Sequence, residues 1–385
     1  MRCLLIKNDG IGDLILASGI ITEISKIFID KGIKTDLITC EQNKEVAENI
    51  QGIHTIYYVS RDDLKLKRSP TSLYIKYTAC GPRKDINILK QISKIEYSHV
   101  FVLRRFMRQS TLAIMLNVKA QEKFCAFQFL TNASDKQAKF CSRGWNRYNI
   151  DLKIIPESLF YQELIKKALN KSIDITPRLN SHCDKTLTPT VKSIALGIGG
   201  LSSKWCLSNW IQLIEWLHKS NWKITILGGN DATETAEHLL NRFPNITNYV
   251  GLLTFKDNEK ILKTVEIYVG NDTGLSHYAS LFVQRCFIIL GGGTFQRFFP
   301  WPKSINQYVL YNGLSCFDCD WRCKYKEKFC LTSITSTDLI KYIKDVLSGI
   351  PVLHERNIQN HNIKYLLAWR RMSKKVEISI NCPSS

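Results

Sequence analysis

The chain has 385 residues, of which 44% are hydrophobic and 23% charged, and its formal net charge is +19. This composition excludes a disordered chain, and at about 150 residues per domain the length predicts two globular domains. No apolar run approaches the ~18 residues that a membrane-spanning helix needs, and Asp9 and Asp13 interrupt the segment where a secretory signal would lie, so we expect a cytoplasmic protein.

The positive charge predicts an anionic partner: nucleic acid, phospholipid headgroups, a nucleotide diphosphate or a phosphorylated glycan. It is concentrated at residues 61–108, which hold twelve Lys or Arg against four Asp or Glu, so we expect a basic surface on the N-terminal half. The 13 cysteines, without a secretory signal, indicate free thiols or a metal site rather than disulfides.

The N-terminal residues predict a βα unit. Residues 3–6 are an uninterrupted apolar run, typical of a strand covered on both faces, and after turn residues 8–12 comes helical periodicity at 14–28. Further strands at 34–39, 53–59 and 100–103, with a helix near 41–49, predict an α/β domain with a parallel sheet.

The alternation of predicted strands and helices begins again after a polar, proline-containing stretch at residues 170–191. We predict strands at 193–196, 223–227, 266–269 and 286–290, with helices at 210–218 and 231–241. Each of these strands ends in glycine, which predicts backbone packed close to a ligand at the carboxyl ends of the strands. The predicted organisation is two Rossmann-like domains, 1–175 and 190–345, facing a central cleft, with a basic, helical tail at 346–385.

Two strand ends carry candidate functional residues. Asp13 follows Gly12 and could simply cap the first helix. Residues 269–277, VGNDTGLSH, place Asp272, Thr273 and Gly274 where a helix would offer unpaired N–H groups to a phosphate. A structural turn would explain the glycines equally well, but not the added threonine and histidine.

Three blocks resemble the family 9 glycosyltransferases, the bacterial lipopolysaccharide heptosyltransferases. They are IGDLILASGIITEI at residues 11–24, GIGGLSSKW at 197–205 and VGNDTGLSHYAS at 269–280. The resemblance implies the GT-B fold, a nucleotide-sugar donor such as ADP-heptose, and an inverting transfer to a lipopolysaccharide core or related surface glycan. No cofactor is then expected for catalysis.

The resemblance also implies roles for individual residues. Asp13 would be the catalytic base, and Lys204 would contact the donor phosphates. The residues expected to bind the donor are Gly199, Gly200, Ser202, Ser203, Gly228, Gly229, Glu234, Asp272, Thr273, Gly274 and His277. The basic N-terminal half, and not the resemblance, indicates Arg104, Arg105 and Arg108 as the cations that bind an anionic glycolipid acceptor, and Gly12 is expected to lie at the same site.

Four cysteines, Cys316, Cys319, Cys323 and Cys330, form the pattern C-x2-C-x3-C-x6-C. Four thiolates this close could surround one structural zinc or iron ion, away from catalysis, although the spacing lacks the usual pair of C-x2-C knuckles and so leaves free thiols open. Similar clusters in family members that modify autotransporter proteins leave a protein acceptor open as an alternative.

The tail carries five cations and no acid at residues 364–375, so it could lie on an anionic membrane surface, although we favour a helix packed on the N-terminal domain. The charge also leaves open a non-catalytic module that binds nucleotides or nucleic acid. That module has no need for a base opposite a phosphate site, which favours the enzyme and makes nucleic acid an unexpected partner.

Overall fold

A computed structural model describes most of the chain as two compact units, Met1–Cys183 and Asp184–Ser385. The residues that it describes are 1–60, 83–105, 109–127, 140–151, 156–180, 192–325 and 327–358.

The N-terminal unit is built on a six-stranded parallel sheet with strand order β3-β2-β1-β4-β5-β6. The strands are β1 (Arg2–Ile6), β2 (Lys34–Cys40), β3 (Ile53–Val59), β4 (Glu96–Val102), β5 (Lys119–Phe127) and β6 (Asn146–Asn149). The helices are α1 (Ile11–Ile29), α2 (Lys44–Ala47), α3 (Arg83–Ser93), α4 (Gln109–Asn117) and α5 (Glu157–Leu169), and a 3-10 turn covers Glu41–Asn43. The order reverses between β1 and β4, as in doubly wound dinucleotide-binding folds.

The C-terminal unit repeats this plan in a seven-stranded parallel sheet with order β13-β12-β11-β10-β7-β8-β9. Its strands are β7 (Ser193–Gly197), β8 (Lys223–Leu227), β9 (Thr247–Asn248), β10 (Ile267–Asn271), β11 (Arg285–Leu290), β12 (Gln307–Tyr311) and β13 (Glu355–Asn357). Its helices are α6 (Leu207–Lys219), α7 (Thr233–Arg242), α8 (Phe255–Leu262), α9 (Gly274–Ala279), α10 (Phe329–Thr332) and α11 (Ser336–Leu347), and a 3-10 turn covers Asn230–Ala232.

Burial on both faces explains the uninterrupted apolar strands. In β1, Leu4 and Ile6 are fully buried, and Ile6 is in register with Ile38 on one side and Val102 on the other. A strand that lies between two neighbouring strands and is covered by helices has no solvent-exposed face, so polar and apolar residues do not alternate along it. The sequence-based prediction of two parallel α/β units is confirmed.

Helix α1 is buried over most of its circumference, which its sequence reflects in few charges. Gly19 lies where the segment after α5 crosses the helix, and a Cβ at this position would lie 2.0 Å from the carbonyl oxygen of Thr176. Only glycine lets the two backbones approach so closely.

The start of the predicted tail contributes the edge strand β13 rather than a helix, and residues 359–385 lie outside the described part. No helix in the described ranges is long and apolar enough to cross a membrane. Residues 61–82 and 106–108 of the predicted basic stretch also lie outside them.

Candidate functional site

The candidate site of the C-terminal unit is the carboxyl edge of its sheet, where the strand order reverses between β7 and β10. Connections leave a doubly wound sheet in opposite directions at such a point, which opens a crevice for ligands. The segments that follow β7, β8 and β10 meet there, and together with the helices that they lead into they contain the predicted donor-binding residues.

Residues 198–206, the β7 loop, are held from both neighbouring strands. The Asn271 side-chain amide donates to the Gly199 carbonyl at 2.8 Å, and Ser203 Oγ donates to the Asp272 carbonyl at 2.9 Å. On the β8 side, Gly200 N donates to Asp231 Oδ2 at 2.6 Å. Gly200 has φ +134°, a conformation that L side chains rarely adopt, so glycine is needed in this turn.

Lys204 lies exposed at this edge, where its Nζ donates to the Asp231 carbonyl at 2.7 Å. Asp231 therefore contacts the β7 loop through both its carboxylate and its backbone. Sequence reasoning missed this residue, although an acid two positions after Gly228-Gly229 at a strand end was a usable signal. Glu234, the donor-binding candidate in the first turn of α7, is exposed.

Thr273 is the N-cap of α9. Its side chain accepts from Ser276 N, which leaves the first N–H groups of the helix without partners inside it. Thr273 and Gly274 are half-buried, so these groups border the surface of the edge. The threonine thus has a structural role that is compatible with the predicted anion site.

His277 is buried as a neutral imidazole. Its ring stacks on Phe299 with centroids 4.0 Å apart, and Trp301 Nε1 donates to its Nδ1 at 3.0 Å. An indole N–H can only donate, so the histidine proton is on Nε2. Burial lowers the pKa of His277 to about 3. A neutral His277 supplies no positive charge to a phosphate.

Packing, and not a ligand, explains several of the strand-end glycines. A Cβ on Gly292 would lie 2.2 Å from the Phe317 ring, and one on Gly293 2.3 Å from the Trp321 ring. A Cβ on Gly197 would lie 1.9 Å from the Tyr268 hydroxyl. The expectation that glycine at each strand end marks a bound ligand is therefore wrong at these positions.

Asp13 occupies the first turn of α1 at the switch point of the N-terminal sheet. Its Oδ2 accepts from Gly10 N at 3.2 Å, so it does form part of a cap, as the simpler interpretation predicted. The preceding loop is fixed because Asn8 accepts from Thr111 at 2.8 Å and from Arg104 Nη1 at 2.7 Å through its carbonyl. Gly12 is half-buried beside Asp13.

A buried polar chain lies close to Asp13. Lys7, with no exposed surface, donates from Nζ to Asp9 Oδ2 at 2.9 Å and to the Tyr161 hydroxyl at 2.6 Å. Tyr161 in turn donates to Glu157 at 2.6 Å. Burial, together with the nearby charges of Glu157, Asp9 and Asp13, raises the pKa of Tyr161 well above its usual range, so it remains a donor.

Two of the three arginines predicted to bind the acceptor are buried and not surface cations. Arg104 is 4% exposed and Arg105 7% exposed. Arg104 lies 3.8 Å from Asp9, and Arg105 Nε lies 3.1 Å from Glu157 Oε2. The expected basic surface is corrected at these two positions, because buried carboxylates hold both guanidinium groups. Arg108 lies outside the described residues.

The four clustered cysteines lie between β12 and the end of α10. Burial raises the pKa of Cys330 to about 11. Across the described ranges, no three His, Cys, Asp or Glu side chains are arranged to hold a metal ion, so zinc or iron here stays a prediction. The segment is nevertheless not remote from the candidate site, because Lys328 Nζ donates to the Ser202 carbonyl at 2.8 Å.

Several solved glycosyltransferases have a similar fold. Heptosyltransferase WaaC of E. coli, solved with ADP, is 17% identical with a TM-score of 0.65, over 90% of this chain and 99% of that one. A glycosyltransferase family 9 structure from Veillonella parvula is 15% identical with a TM-score of 0.68, over 90% and 97%. E. coli ADP-heptose lps heptosyltransferase II is 12% identical with a TM-score of 0.62, over 91% and 99%.

The fold is therefore that of the GT-B glycosyltransferases. Residues 195–327 match the model of glycosyltransferase family 9 (heptosyltransferase), which confirms the resemblance that the motifs at residues 197–205 and 269–280 carried. The match identifies a glycosyltransferase domain within the C-terminal unit. Among curated protein sequences, none matches this chain significantly.

Proposed function

We propose that the protein transfers a heptose, or a related sugar, from a nucleotide diphosphate to a lipopolysaccharide core or related surface glycan, with inversion at the anomeric carbon. The observation that carries the donor site is the convergence of Lys204, the β7 loop and the Thr273 cap on one sheet edge. ADP in the WaaC structure and the name of heptosyltransferase II favour ADP-heptose as the donor.

The chemistry asks for two functions. As the bond between the sugar and the diphosphate breaks, negative charge develops on the diphosphate. A cation and unpaired backbone N–H groups stabilise this charge. Lys204 and the first turn of α9 supply these groups. At the acceptor, a base removes the hydroxyl proton while the oxygen attacks the anomeric carbon and the bond to the diphosphate breaks.

We assign the base to Asp13. Its carboxylate keeps a fixed orientation through the bond from Gly10 N. The buried hydrogen bonds among Lys7, Asp9 and Tyr161 hold the loop after β1 in place. The Asp13 carboxylate is therefore already ordered before the acceptor binds. One displacement with one base inverts the anomeric centre.

The test is release of nucleotide diphosphate from a panel of sugar donors, ADP-heptose included, with crude lipopolysaccharide core as acceptor. Asp13→Asn should lower kcat by about 10²–10⁴-fold, the usual contribution of a general base, while ADP binding is retained. Asp30→Asn, at the exposed end of the same helix, is the control and should keep wild-type activity. Donors that bind but stay intact with every acceptor would instead support a non-catalytic nucleotide-binding module.

A further inference from the structure

The segment from Cys316 to Cys330, the cysteine loop, is fastened to the sheet edge beside β11. Asp318 N donates to the Gly292 carbonyl at 2.6 Å, and Asp320 N donates to the Gly293 carbonyl at 2.9 Å. Phe317 and Trp321 fill the space that side chains on these glycines would occupy. One side of the cysteine loop is therefore anchored on the core of the C-terminal unit.

The other side reaches the β7 loop through Lys328. Its Nζ lies 2.8 Å from the Ser202 carbonyl oxygen and 5.5 Å from the centroid of the Trp321 ring. Lys328 is half-buried, and the aromatic face limits where its ammonium group can go. The lysine thus connects the anchored cysteine loop with the middle of the β7 loop.

The bond to Ser202 fixes more than one oxygen. A peptide unit is planar and trans, so its N–H points opposite to its carbonyl. Holding the Ser202 carbonyl therefore also sets the direction of the Ser203 N–H. On the other side, Asn271 and Asp231 hold the backbone at Gly199 and Gly200. Ser203 is held through its side chain by the Asp272 carbonyl, and Lys328 adds a restraint on the backbone at Ser202.

We propose that Lys328 is a positioning residue for the donor site: it orients the Ser202–Ser203 peptide unit so that the β7 loop is preset to receive the donor diphosphate. The inference rests on the proposed function, because it assumes that the β7 loop binds this group. It gives the cysteine loop a role in donor binding that does not require a metal ion.

The experiment compares Lys328→Met, Lys328→Arg and Lys324→Met with the wild type in the full-length protein. Lys324 is an exposed lysine of the same loop whose ammonium lies over Tyr325, so its variant removes the same charge without touching the β7 loop. Two quantities are measured: amide hydrogen exchange at residues 199–204, and the affinity for ADP by calorimetry.

We expect Lys328→Met to accelerate exchange in the β7 loop and to weaken ADP binding about tenfold, as for the loss of one hydrogen bond from a charged donor. In turnover, the KM for the donor should rise with kcat nearly unchanged. Lys328→Arg should restore both quantities, and Lys324→Met should match the wild type.

Unchanged exchange in Lys328→Met would overturn the inference, and so would an equal loss of affinity in Lys324→Met, because charge alone would then explain it. Failure of the proposed function looks different: the wild type itself would bind none of ADP, UDP, GDP or CDP. The exchange measurement needs no nucleotide, so it still decides whether Lys328 orders the loop.

Discussion

His277 should make the C-terminal unit sensitive to acid. Its folded pKa is about 3, against 6.5 for the ordinary imidazole. Because the folded value is the lower one, the unfolded chain takes up the proton first, and stability is lost as pH falls from 6.5 towards 3. At 1.36 kcal/mol per pKa unit, the loss between pH 7 and pH 5 is about 2 kcal/mol.

The assay is guanidinium unfolding of the wild type, His277→Gln and His218→Gln at pH 7 and pH 5. His218 is exposed on α6, so its variant controls for removing a histidine. The wild type and His218→Gln should lose the same free energy of unfolding between the two pH values, and His277→Gln should lose about 2 kcal/mol less. If all three lose equally, His277 is not a buried neutral group, and the assignment of its proton to Nε2 fails with it.

Two further variants test packing and buried charge. Lys7→Met removes the partner of the buried Asp9 carboxylate and should lower the free energy of unfolding by about 3 kcal/mol. This is the lower end of the usual range, because Arg104 also lies near Asp9. The control is Lys26→Met, which breaks an exposed pair with Glu23 and should cost under about 1 kcal/mol. Gly292→Ala should overpack against Phe317, which lowers the free energy of unfolding by about 1–3 kcal/mol and with it the melting temperature. In the control Gly199→Ala the added Cβ would meet nothing nearer than 3.4 Å, so the melting temperature should not change. Equal effects of the two variants would refute the packing explanation.

The elements could be predicted because their signals are local. Residues 223–227 form the strand predicted for them, and the helix predicted at 14–28 extends over Ile11–Ile29. An apolar run with glycine at its end marks a buried parallel strand whatever its neighbours are. The VGNDTG block was informative for the same reason, since a strand end and a helix start are both encoded within nine residues.

Side-chain environment was less predictable. The sequence predicts Arg104 and Arg105 as surface cations, because the carboxylates that bind them do not lie within ten residues of either arginine. Their partners are Asp9, almost a hundred positions earlier, and Glu157, in a helix after β6. Ion pairs between distant segments leave no recognisable pattern in the sequence. Charges counted along the chain therefore overestimate the charge on the surface.

The sequence by itself determined the two α/β units, the family 9 resemblance of residues 195–327, and the positions of Asp13, Lys204 and the Thr273 cap. Strand ends and turns depend on neighbouring residues, so these features can be recognised locally. Only the tertiary structure decided that His277 is neutral, that Asp231 and Lys328 hold the β7 loop, and that Trp321 fills the space beside Gly293. Protonation and loop position depend on burial and on contacts between segments far apart in the chain, and both arise only when the sheet brings those segments together.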